Sequence, residues 1–167
     1  MIAFPLLLLA MGAAVLQVGA VPAAFHQPLA APVLPVALLA GWAAIRRPRE
    51  AWPVPLGAAI VLGAVSEGRV GLYLLALLPA LAIATFVRLR ERRGEGTASR
   101  RLALAAVGGA AGTLCYVLSI AAAAGTARTL SPALPALLGG MAWTGMLAAL
   151  LAAALWRVRS DRGGLFA

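Results

Sequence analysis

The chain has 167 residues, of which 63% are apolar and 11% charged, with a mean hydropathy of +0.96. An average soluble domain is about 45–50% apolar and about 25% charged, and a domain this small has too much surface for its volume to hide the difference. The composition excludes a soluble globular domain, a disordered chain and a disulfide-stapled secreted module, and describes a membrane protein.

All 14 basic residues are arginine and five residues are acidic, for a net charge of +9. A basic balance often signals nucleic acid. Here the arginines stand in short clusters between apolar stretches, which is a topology signal, so no nucleic-acid partner is expected. Cys115 is the only cysteine, and a single thiol forms no intrachain disulfide.

No charged residue occurs from Met1 to Ile45, a stretch too long for one crossing of about 20 residues. Two prolines and the polar pair His26-Gln27 punctuate it near residues 21–28. A first span is therefore predicted over 2–21 and a second over 29–46, ended by Arg46-Arg47-Pro48-Arg49-Glu50. Pro53 and Pro55 open a third over 53–66, and the turn Ser66-Glu67-Gly68-Arg69 leads to a fourth over 70–87, with Pro79 in its middle. The polar stretch Arg88 to Arg101 follows. A fifth span covers 102–124, and a sixth covers 133–156 after Pro132. The expectation is one all-α domain over 1–167 with six transmembrane helices and no extramembrane domain. The first segment lacks the basic start and the short apolar core of a cleaved signal, and is read as a span.

The positive-inside rule orients this bundle. With both termini in the cytoplasm, 12 arginines fall inside and only Arg69 and Arg128 outside. The expected location is the inner, cytoplasmic membrane, crossed several times.

Ionisable groups within a span are functional candidates by default, and the six predicted spans contain none. Glu67 and Arg69 lie nearest, in an outer turn. They read either as a docking pair for a partner or as an ordinary solvated turn. His26 stands alone in an outer loop, whereas a metal site needs three or four ligands. There is no nucleophile with a credible base, no carboxylate pair for acid–base work and no phosphate-cradling glycine loop. No enzyme activity, cofactor or metal is expected. Gln17, Tyr73, Thr85, Thr113, Tyr116, Ser119, Thr144, Trp42 and Trp143 are thin material for a polar pocket. Small residues are plentiful. Gly108 and Gly112 form a GxxxG on the fifth span, Gly139-Gly140 stand on the sixth, and Ala10 and Ala14 share a face of the first. Such positions let backbones approach closely in lipid, within this bundle or against a partner's helix.

One stretch resembles a family. Pro32-Val33-Leu34-Pro35 leads to Trp42 and Arg46-Arg47-Pro48. Gly57 to Glu67 (GAAIVLGAVSE) follows, then Gly71-Leu72-Tyr73-Leu74-Leu75-Ala76, and the last span runs into Trp156-Arg157-Val158-Arg159. This is similar to the rod-shape-determining MreD family, with two departures. Glu67 stands where the family usually has Asp, and the turn before Gly71 is shorter. The resemblance implies a non-enzymatic scaffold of the cell-elongation machinery. Its partner would be MreC, a single-span coiled-coil protein, and through it RodA with its penicillin-binding partner and MreB. The implied role is regulation of peptidoglycan synthesis and cell shape. Glu67, Arg69, Gly71 and Arg128 are the candidate partner-binding residues, and membrane lipids surround the bundle. The rival is a substrate-binding subunit of an energy-coupling-factor vitamin or metal transporter, a compact six-helix architecture to which the MreD fold is expected to be similar. Such subunits use alanine spacings like Ala10–Ala14 to meet their coupling subunit.

Overall fold

The computed structural model describes residues 3–25, 27–46, 48–66, 69–91, 98–126 and 132–163. Among these there is no strand. The helices are α1 (Ala3–Val18), α2 (Ala20–Ala24), α3 (Leu34–Ile45), α4 (Pro53–Val65), α5 (Val70–Glu91), α6 (Ala98–Ala123) and α7 (Leu134–Gly163), with 3-10 turns at Pro28–Ala30 and Pro48–Ala51. Three segments are long and apolar enough to cross a membrane, Pro28–Ile45, Ala98–Ala123 and Leu134–Arg157. Ala3–Val18, Pro53–Val65 and Val70–Phe86 are shorter apolar helices.

Proline explains where the elements depart from the expected spans. The stretch predicted as one helix over 2–21 divides at Gly19 into α1 and α2. Pro22 has no N–H to offer the Val18 carbonyl, so the helical ladder is interrupted there. The second predicted span opens as a 3-10 turn. Ala31, which precedes Pro32, is extended with φ −76° and ψ 144°, the region a following proline enforces. Val33 is extended too, and α3 begins only at Leu34, with Pro35 in its first turn. At the other end, α5 runs on to Glu91 and α6 starts at Ala98, so both reach into the polar stretch read as a loop. Arg, Leu and Glu are good helix formers, and hydropathy marks where lipid ends rather than where a helix does.

α3 is the centre. It packs against α1, α4, α5, α6 and α7, and ten of its twelve residues are buried. A helix apolar all round is suited to such a place. One side joins Val36, Leu39 and Ala43 to Leu6 and Ala10 of α1, Val54 and Ala58 of α4, and Leu77 and Ala80 of α5. The other joins Ala37, Ala40 and Ala44 to Ala105 of α6 and to Ala148 and Ala152 of α7. The outer helices follow one another in an arc, α1 beside α4, then α5, α6 and α7. Apolar side chains cover the outside, including Phe4, Leu9, Ile60, Leu75, Val107, Leu138 and Leu150. In water such a surface would drive association; against lipid tails it is the matching surface.

Glycine sets how close these helices come. A Cβ on Gly112 would lie 2.8 Å from Val36 Cγ1 and 3.0 Å from Ala80 Cβ, so α6 meets α3 and α5 there almost backbone to side chain. On Gly145 it would lie 2.7 Å from the Ala106 carbonyl oxygen, and on Gly109 3.0 Å from Ala148 Cβ, which fixes the α6–α7 approach. On Gly140 it would run into the carbonyl of Leu29. Gly108 and Gly139 are looser, each leaving 3.8 Å to the Cβ of an alanine, Ala40 and Ala30 respectively.

Candidate functional site

The break before α3 leaves backbone N–H groups inside an apolar bundle, where no water competes to satisfy them. Two side chains from other helices do so. Gln17 of α1 accepts a 2.7 Å hydrogen bond from the Leu34 amide, and Thr144 of α7 accepts one of 2.9 Å from the Val33 amide. Thr144 is fully buried, and its hydroxyl donates at 2.7 Å to the Gly140 carbonyl one turn back. Gly140 is the position where the extended approach to α3 touches α7, since a Cβ added there would meet the carbonyls of Leu29 and Ala31. The break is thus held by α1 from one side and by α7 from the other. An open helix N-terminus would attract an anion. Here its first amides already have protein acceptors.

Three further hydroxyls inside the described helices also turn to their own backbone. Thr85 bonds the Leu81 carbonyl at 2.7 Å, Thr113 that of Gly109 at 2.9 Å and Ser119 that of Cys115 at 2.8 Å. Ser66 does the same to Leu62 and also sits 2.6 Å from the Tyr73 hydroxyl, tying the end of α4 to the start of α5. Bonding to the carbonyl four residues back satisfies the donor of a buried hydroxyl. Among the described residues two side-chain polar atoms are buried without a hydrogen-bond partner, Trp42 Nε1 on α3 and Glu50 Oε2 on the turn after it. The sequence read Glu50 only as the last residue of the basic cluster that ends the second span. Its 3-10 turn instead packs beneath α1, α3, α4 and α5, a burial that only tertiary contact reveals.

Of the residues proposed for partner binding, Glu67 and Arg128 lie outside the described residues, as does His26. Arg69 and Gly71 are exposed at the start of α5, and nothing stands within 4 Å of a Cβ placed on Gly71. Ala10 and Ala14, the pair read as an outward contact stripe in the transporter reading, are fully buried, with Ala10 packed against Gly57 of α4. Phe25 and Trp143 meet edge to face at 6.1 Å, and a cleft of about 480 Å³ is bordered by Gln27, Pro28, Leu29, Pro132, Pro135 and Ala136. At the opposite end, the Arg101 guanidinium lies 4.8 Å over the Trp156 ring and links α6 to α7. Among the described residues no group of three or more His, Cys, Asp and Glu side chains converges as a metal site would require.

Comparison with known protein families, with curated proteins and with solved structures finds no match.

Proposed function

We propose that this chain is a non-enzymatic scaffold of the bacterial cell-elongation machinery, similar in role to MreD. On this reading it crosses the inner membrane six times with both termini in the cytoplasm. It receives the membrane helix of an MreC-like single-span partner. One observation carries the reading. Gln17 and the threonine and serine hydroxyls described above are engaged by this protein's own backbone, while apolar side chains line the outside. A bundle organised in this way offers helix surface rather than a polar pocket. The burial of Ala10 and Ala14 against α4 weighs against the transporter alternative, because the spacing that would greet a coupling subunit is already occupied.

Glu67, Arg69 and Arg128 are the charges available at the outer end to fix the partner's register. Removing one member of a desolvated charge pair at an interface costs about 2–5 kcal/mol, whereas a rim charge costs little. The test is a mild-detergent pull-down of the tagged protein at native abundance, with mass spectrometry of what is retained. The scaffold reading expects a single-span coiled-coil protein together with wall-synthesis enzymes, and a strong loss of both with the Glu67→Ala/Arg128→Ala variant. Unchanged recovery in that variant removes the outer charges from the site. Recovery of paired ATPases with a membrane coupling subunit replaces the scaffold with an importer.

A further inference from the structure

The helices differ in apolar length, and position in the bundle sorts the difference. α4 has 13 residues, about 20 Å at 1.5 Å per residue, and the apolar part of its neighbour α5, Val70–Phe86, is short as well. α6 has 26 residues and the apolar part of α7, Leu134–Arg157, has 24, about 39 and 36 Å. Charge in the sequence follows the same division. The uncharged stretches around α4 and α5 are 51–66 and 70–87, against 102–127 and 129–156 for α6 and α7. In the arc α4 and α5 are neighbours, as are α6 and α7, so the bundle has a low side and a high side.

α4 cannot conceal its shortness inside the protein. Leu56, Ile60 and Ala64, spaced one helical turn apart, are exposed along its outer face, so lipid tails meet it over most of its length. Nor can it lengthen. Pro53 and Pro55 occupy its first turn. At the other end a Cβ on Gly63 would lie 2.6 Å from Val70 Cγ2, and Ser66 is bonded at 2.6 Å to the Tyr73 hydroxyl, which closes the hairpin with α5. A helix longer than the hydrocarbon core of about 30 Å fits by tilting. Tilting a short helix only lowers its span, so beside α4 the bilayer is the part that gives. We propose that the protein thins the bilayer beside α4 and leaves it near its ordinary thickness beside α7, so that lipids on two sides of one bundle differ in height. This inference rests on the six-crossing part of the reading above.

The test measures depth at the middle of each helix. Ile60 of α4 and Met146 of α7 are 50% and 45% exposed, so Ile60→Cys and Met146→Cys, each in a Cys115→Ala background, take a nitroxide without entering the core. The full chain is placed in dimyristoleoyl, dioleoyl or dierucoyl phosphatidylcholine, and depth is read from collision with oxygen against a water-soluble nickel chelate. The expected result is a label at position 60 that stays shallow as the chains lengthen, while the label at position 146 deepens by half of the added thickness. Parallel deepening of both overturns the thinning, because α4 is then submerged in a bilayer that has not adapted. A short helix lying along one leaflet would also stay shallow, so the two ends of α4 are labelled as well. Trp52→Cys and Val65→Cys, both at exposed positions, should react with an impermeant maleimide from opposite faces of the membrane in cells. Reaction from the same face removes the crossing of α4, and the thinning with it; opposite faces with parallel deepening remove the thinning alone.

Discussion

Two glycines four residues apart on α6 differ in what they accept. Gly112 stands 2.8 Å from Val36 Cγ1 by the measure of an added Cβ, while Gly108 leaves 3.8 Å to Ala40. Gly112→Ala therefore forces α6 away from α3 and α5, and overpacking of this kind costs about 1–3 kcal/mol. Gly108→Ala meets only ordinary contact and removes a flexible residue from a helix interior, a gain of up to about 1 kcal/mol. Unfolding in detergent should show opposite signs for the two. A shift in the same direction for both would mean that the GxxxG acts as a unit and that the local spacing does not decide. The sequence made both positions small and could not say which faces a neighbour, because a spacing of four fixes only a common face. Ala10 and Ala14 carry the same ambiguity. Their spacing fits an external stripe as well as an internal one; both are buried, with Ala10 packed against Gly57 of α4.

At the scale of elements, hydropathy found the apolar stretches but not their interruptions. Pro22, Pro32 and Pro35 were visible as residues, yet a proline near a helix end permits either a continued helix or a break. The choice at α3 depends on acceptors that sequence does not align. Thr144 is 111 positions away from the Val33 amide it satisfies, and Gln17 is 17 from Leu34. Both side chains were legible as polar groups within predicted spans, but not as the two holders of one break. Thr144→Val keeps the shape, removes the acceptor and leaves the Val33 amide unsatisfied in the core. The expected loss is about 1–2 kcal/mol, accompanied by faster hydrogen exchange at Val33 and by near-complete restoration in Thr144→Ser. Unchanged exchange at Val33 in the valine variant would show that the break is held without the Thr144 bond, by packing at Gly140 and by Gln17.

For the whole molecule the question is how often α3 and its neighbours cross. The helix itself has 12 residues, about 18 Å at 1.5 Å per residue, against a hydrocarbon core of about 30 Å. The extended segment and 3-10 turn before it supply the remaining reach if the whole stretch crosses. If it folds back instead, the arginine clusters no longer collect on one face. Cysteine accessibility separates the two. In a Cys115→Ala background, Gln27→Cys, Ser99→Cys and Thr126→Cys each place one thiol at an exposed position. Between Gln27 and Ser99 lie α3, α4 and α5, so three crossings put those thiols on opposite faces, and α6 returns Thr126 to the face of Gln27. The expected pattern in intact cells is labelling of residues 27 and 126 by an impermeant maleimide, with residue 99 labelled only after permeabilisation. If 27 and 99 label from the same face while 126 labels from the other, one of the three intervening segments does not cross. The central helix is then the first suspect, because it alone is sheltered by every other long helix and has the least need of lipid contact to be stable.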